Sequence, residues 1–123
     1  MWLDGSGKLT GRERRTLDAL AEDRRTPHLC AISLWEMALL VERERVVLGQ
    51  VFDSWIELAA SPATVSILDV TPAIAKELLR LTGSFHHDPA DRIIVATARA
   101  LDLQLLTRDV AIRRSGLVRL WKP

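Results

Sequence analysis

Three carboxylates, Glu36, Asp91 and Asp109, stand where the chain is expected to change direction around a sheet. Glu36 falls in the first turn of a helix that follows the apolar run Leu29–Ile32. Asp91 falls in the first turn of a helix that follows the loop 83–87, and Asp109 lies just past the run Leu103–Thr107. Residues just beyond the strands of an open α/β sheet border a common ligand crevice, so these three acids can converge there. Carboxylates gathered in one crevice repel each other unless a cation neutralises them. Carboxylate oxygens with retained waters suit Mg2+ or Mn2+. Such an ion lowers the pKa of a bound water and stabilises charge on a phosphodiester under attack. The chemistry permitted is phosphodiester hydrolysis, and no covalent nucleophile with its base is spelled out. Each acid also has a purely structural role open to it. Glu36 completes a capping box with Ser33, Asp91 stands three residues after Asp88 at a helix start, and Asp109 follows Arg108 in a loop.

The elements that must carry these acids are written in the hydrophobic pattern. Thr10 and Glu13 form a capping box for an amphipathic helix over 11–23, closed by Arg24-Arg25-Thr26-Pro27. A strand at Leu29–Ile32 and a helix from Leu34 to Glu44 follow, and Val51, Trp55, Leu58 and Ala59 mark a third helix. Val65–Val70 alternates as a strand; Thr71 and Pro72 then start a helix to Thr82 whose apolar face is Ala75, Leu78, Leu79 and Leu81. Ile93, Ile94, Ala96, Thr97 and Ala100 line the helix begun at Asp88-Pro89. A strand at Leu103–Thr107, a helical turn from Arg108 to Arg114 and a last strand at Leu117–Trp121 complete the chain. Strands separated by helices predict an α/β fold on a mostly parallel sheet.

Composition narrows the function classes. The chain has 123 residues, which suits one domain spanning 1–123, and no repeat or linker divides it. One cysteine, Cys30, excludes an internal disulfide and a four-cysteine metal site; in its apolar run it reads as a small buried side chain. No apolar run reaches membrane-spanning length and no leader opens the chain, so a reduced, cytoplasmic setting is expected. Net charge is +1, but residues 1–60 carry eight basic and ten acidic side chains, and 61–123 carry nine and six. A nucleic-acid role would therefore come from a site rather than from bulk charge. Arg12, Arg14 and Arg15 read as a solvated face, and His86 and His87 as a polar loop. Trp2, Trp35, Trp55 and Trp121 read as core or dimer contacts rather than base-stacking platforms.

Ala31-Ile32-Ser33-Leu34-Trp35-Glu36 resembles the second acidic motif of PIN-domain ribonucleases, particularly the VapC-type toxins of bacterial toxin–antitoxin pairs. The run from His87 to Ala98, with Asp88-Pro89-Ala90-Asp91 at its start, resembles their third motif, and Leu106-Thr107-Arg108-Asp109 their fourth. The resemblance implies an α/β/α sandwich and RNA cleavage dependent on Mg2+ or Mn2+. It also implies silencing by a cognate antitoxin, and a homodimer. Residue by residue it implies that Glu36, Asp91 and Asp109 coordinate the metal. Thr107 would support the site by hydrogen bonding, Asp88 would cap its helix, and Arg92 and Arg108 would stand near RNA phosphate.

One part of the family pattern is missing. Members open with an apolar strand ending in an Asp, whereas Trp2-Leu3-Asp4-Gly5 matches the loop before the capped helix, so Asp4 is not taken as that ligand. The expectation is a domain lacking its first strand and first acid, most simply from a start codon assigned too late. The alternative function is an inactive, truncated PIN-like domain that only binds antitoxin or RNA. A receiver-like or phosphatase-like domain needs an Asp nucleophile directly after an early strand, and Asp4 is badly placed for that.

Overall fold

The computed structural model describes residues 11–23, 25–81 and 88–121. Thr10, Asp4, Trp2, Gly83, His86 and His87 lie outside the described residues. The chain divides into two compact units, whose described parts are 11–68 and 69–121.

In the first unit the order is α1 (Gly11–Glu22), β1 (His28–Cys30), α2 (Ala31–Glu42), α3 (Phe52–Ala59) and β2 (Ser66–Leu68). The helix expected at 11–23 forms, with Arg12, Arg14 and Arg15 exposed along it. β1 and β2 pair in parallel, with His28 opposite Ser66, Leu29 opposite Ile67 and Cys30 opposite Leu68. Parallel neighbours need a long crossover, and α2 and α3 supply it. The Ser66 amide also donates to the Pro27 carbonyl at 2.9 Å, and the Thr26 and Ser66 hydroxyls meet at 2.9 Å, so pairing starts where the apolar strands start.

Several boundaries here differ from expectation, β2 covering Ser66–Leu68 rather than the whole of Val65–Val70. The ladder ends at Cys30–Leu68, and the chain turns directly into α2 at Ala31 rather than at Leu34. A short apolar run such as Ala31-Ile32 fits a buried helix as well as a strand, and pairing with β2 decides between them. Ser33 is consequently buried within the helix instead of capping it, and Cys30 is the N-cap residue with no side-chain cap bond. Cys30 is half-buried rather than buried.

In the second unit the order is α4 (Pro72–Arg80), α5 (Pro89–Ala100) and α6 (Val110–Ser115). Thr71 caps α4, its hydroxyl accepting from the Ile74 amide at 3.4 Å, with Pro72 next, as read from the sequence. The inward face of α4 is rotated from the expected one: Ile74, Leu78 and Leu81 join the core, while Leu79 is 89% exposed. Val95, Ala96 and Ile112 complete the buried cluster, with Ala100, Leu105, Leu117 and Val118 packed against it.

The two strands expected at 103–107 and 117–121 reduce to one parallel bridge, Leu105 with Leu120. Its bonds run from the Leu105 amide to the Arg119 carbonyl and from the Trp121 amide to the Leu105 carbonyl, both at 2.9 Å. Beyond Leu105 the backbone spends its donors locally: the Asp109 amide donates to the Thr107 hydroxyl at 3.1 Å. Such side-chain bonds compete with a ladder and end it. Gly116, at φ 68°, closes α6 in the left-handed region that glycine adopts without strain, and returns the chain toward Leu117.

Rotation of α4 also buries Glu77, which the sequence reading passed over. Its carboxylate accepts from Arg99 Nε at 2.8 Å and from Arg80 Nη1 at 2.9 Å, and Arg99 Nη1 donates on to the Leu117 carbonyl at 2.9 Å. The hydrogen bond from Arg99, then that from Arg80, holds the Glu77 carboxyl below the ordinary glutamate range. A depressed folded-state pKa stabilises the fold above the unfolded pKa of about 4.3, and that stability is lost as pH falls through the folded value. The melting temperature of the wild type should therefore exceed that of Glu77→Gln near neutral pH. The gap should shrink steadily below pH ~4.3. Parallel melting curves at all pH values would show that the clasp contributes nothing through charge.

Candidate metal centre

Asp91 sits in the first turn of α5, as expected, and the helix start that holds it is strongly specified. Asp88 is the N-cap residue: its Oδ1 accepts from the Ala90 amide at 2.9 Å and from the Asp91 amide at 3.2 Å. Pro89 fills the position where a missing amide costs nothing. Ala90, Val95, Ala96, Thr97 and Ala98 are buried, so the helix cannot slide or rotate without exposing apolar surface. Its N-terminal turn, and Asp91 with it, is therefore fixed by the core. The positive end of the helix macrodipole favours an ionised carboxylate there.

Asp109 is the N-cap residue of α6. One carboxylate oxygen, Oδ1, accepts from the Ile112 amide at 2.8 Å; Oδ2 has no protein partner among the described residues. Thr107 is buried, and its hydroxyl accepts from the Asp109 amide. The Thr107 carbonyl in turn accepts from Arg113 Nη1 at 3.0 Å. Ile112, 2% exposed, anchors the same turn in the core. Asp109 is thus held by side chain, amide and neighbouring core residue through one oxygen and its backbone.

Glu36 belongs to the first unit, in the second turn of α2 rather than the first, because that helix starts early. It is half-buried and directly precedes Met37, which is 1% exposed. Asp91 and Asp109 share the second unit. Among the described residues, no three His, Cys, Asp or Glu side chains are assembled as a metal cage. The donor chemistry nevertheless suits a hard cation. Mg2+ keeps several waters and is held by one or two carboxylates with substrate phosphate, rather than by a cage made wholly of protein. An Asp109 with one oxygen anchored and one open has the form such a ligand takes.

Other side chains fall out as follows. Trp35 is 53% exposed and so is not a core residue, Trp55 stacks on Phe52 with ring centroids 6.3 Å apart, and Trp121 is half-buried. Arg108 is exposed and Arg92 half-buried. Arg113 and Glu77 are the polar residues that sequence reading missed. The Glu77–Arg80 pair has the i,i+3 spacing of helix neighbours and could have been read. Neither the reach of Arg99 to Glu77 nor that of Arg113 to Thr107 has a comparable local signature.

A family model described as PIN domain matches residues 8–116. Ribonuclease VapC22 of Mycobacterium tuberculosis (strain ATCC 25618 / H37Rv) is 39% identical over 85 residues, which cover 69% of this chain and 64% of that protein. The matched stretch thus spans less than two thirds of that relative. No solved structure gives a significant match. No helix among the described residues is long and apolar enough to cross a membrane.

Proposed function

The chain belongs to the PIN-domain family, and from that membership we propose that it is a VapC-type endoribonuclease toxin that hydrolyses RNA phosphodiesters with Mg2+ or Mn2+. The observation that carries this reading is Asp109: buried Thr107 and the α6 backbone hold it, yet one carboxylate oxygen has no partner among the described residues. The likeness to a protein named a ribonuclease supports the same activity. Its partners on this reading are RNA, a cognate antitoxin protein and a second copy of the chain, in the cytoplasm.

Glu36, Asp91 and Asp109 would hold the cation. When bound, it supplies Lewis-acid stabilisation of charge at the phosphodiester and lowers the pKa of a coordinated water. The chain's own work is placement. Asp88 fixes the first turn of α5, and so the root of Asp91, by accepting two of that turn's amides. Thr107 and the Ile112 amide fix Asp109, so its carboxylate need not be ordered as substrate arrives. That preorganisation is what lets fixed charges act at a transition state without reorganisation cost.

The test is cleavage of a mixed RNA by the purified chain. Cutting is expected in millimolar Mg2+, with full loss in excess EDTA and recovery when Mn2+ is restored. Cleavage that persists at the same rate in EDTA sinks the metal-dependent reading, and no cleavage under any condition sinks the nuclease itself.

A further inference from the structure

Arg113 is an exposed residue in the last turn of α6, yet its side chain does not stay with the carbonyls of that turn. It reaches back toward the helix start and donates through Nη1 to the Thr107 carbonyl at 3.0 Å. Its own amide meanwhile donates to the Asp109 carbonyl at 3.0 Å. Thr107 and Asp109 are two residues apart, a chain span of at most about 7 Å. The guanidinium is therefore held beside the segment that carries Asp109. Among the described residues it has no acidic partner, in contrast to Arg80, Arg99 and Arg119, each tied to a carboxylate. One N–H is used to fix it, leaving further donors and a full positive charge.

An arginine so held is a preordered contact for a phosphate oxygen, because little rotamer freedom remains to be lost on binding. It also offsets the repulsion that acidic residues would impose on an incoming polyanion. We propose that Arg113 contacts a backbone phosphate of RNA beside the Asp109 position, which rests on the nuclease reading given above. Thr107, by this account, sets both neighbours: its hydroxyl accepts from the Asp109 amide and its carbonyl accepts from Arg113.

The test is equilibrium binding of a fluorescein-labelled 12-nucleotide RNA in EDTA, where nothing is cut, over a range of KCl concentrations. Losing one phosphate contact should lower the slope of log affinity against log salt by about 0.7 for a single strand. Arg113→Gln should show that drop and weaker binding throughout, and Arg113→Lys should restore the slope. Arg119→Gln, which removes an arginine already paired with Asp102, should leave the slope unchanged. A melting temperature for each variant separates this from unfolding, since lost structure does not return with Lys in the salt slope alone. An unchanged slope in Arg113→Gln overturns the inference by itself, as does an equal drop in Arg119→Gln. Wild-type protein that binds no RNA in EDTA overturns the inference, while the nuclease reading stands or falls separately by the cleavage assay in Mg2+.

Discussion

Asp91→Asn should reduce Mg2+-dependent RNA cleavage at least ~100-fold, corresponding to about 2.7 kcal/mol of lost transition-state stabilisation. The substitution keeps side-chain volume and shape, and it leaves the Asp91 amide free to donate to Asp88 as before. It removes one negative charge from the first turn of α5, where the helix dipole favours it by about 0.3–1 kcal/mol. Folding should therefore change little while activity collapses. Asp88→Ala is the matching contrast. That variant loses the cap that accepts from Ala90 and Asp91, at a cost of about 0.5–2 kcal/mol. It should lower stability first and activity only as the helix start frays. Rates and denaturation midpoints for the two variants check both halves. An Asp91→Asn protein that cleaves at the wild-type rate would remove Asp91 from the metal centre.

Ile74→Ala should destabilise the protein by about 2–5 kcal/mol. Ile74 is 1% exposed and lies in one buried cluster with Leu81, Val95, Ala96 and Ile112. Truncation leaves a cavity between α4 and α5 that surrounding side chains fill only in part. Ile112 is both a member of that cluster and the residue whose amide holds Asp109. Loss of packing at Ile74 should then loosen the Asp109 turn as well, so cleavage should fall at temperatures well below the melting point. Urea unfolding monitored by circular dichroism gives the stability change. A loss under 1 kcal/mol would mean that the cluster is not the core of this unit.

Much of this molecule is legible along the chain because its signals are local. Thr71-Pro72 and Asp88-Pro89 specify helix starts through capping oxygens and a fixed proline φ, and both are found as read. Asp91 is placed by the same logic, since a carboxylate two residues past a capped Pro stands in a first turn whatever surrounds it. The family likewise needs no fold to be recognised, and its model matches residues 8–116.

Tertiary structure decided what depends on partners distant in sequence. Whether Ala31-Ile32 prolongs a strand or opens a helix turns on where β2 stops, at Leu68, so Ser33 was buried rather than used as a cap. Which stripe of α4 faces inward was decided by α5 and by the Arg99 clasp, which made burial of Glu77 tolerable and left Leu79 in solvent. A charged residue moves inward only where a counter-charge waits, and that counter-charge lies 22 positions along the chain. The acids and their motif order were sequence-determined. The anchoring of Asp109 by Thr107 and Ile112, and of Arg113 beside it, was not, because hydrogen-bond geometry and core packing exist only once the chain has folded.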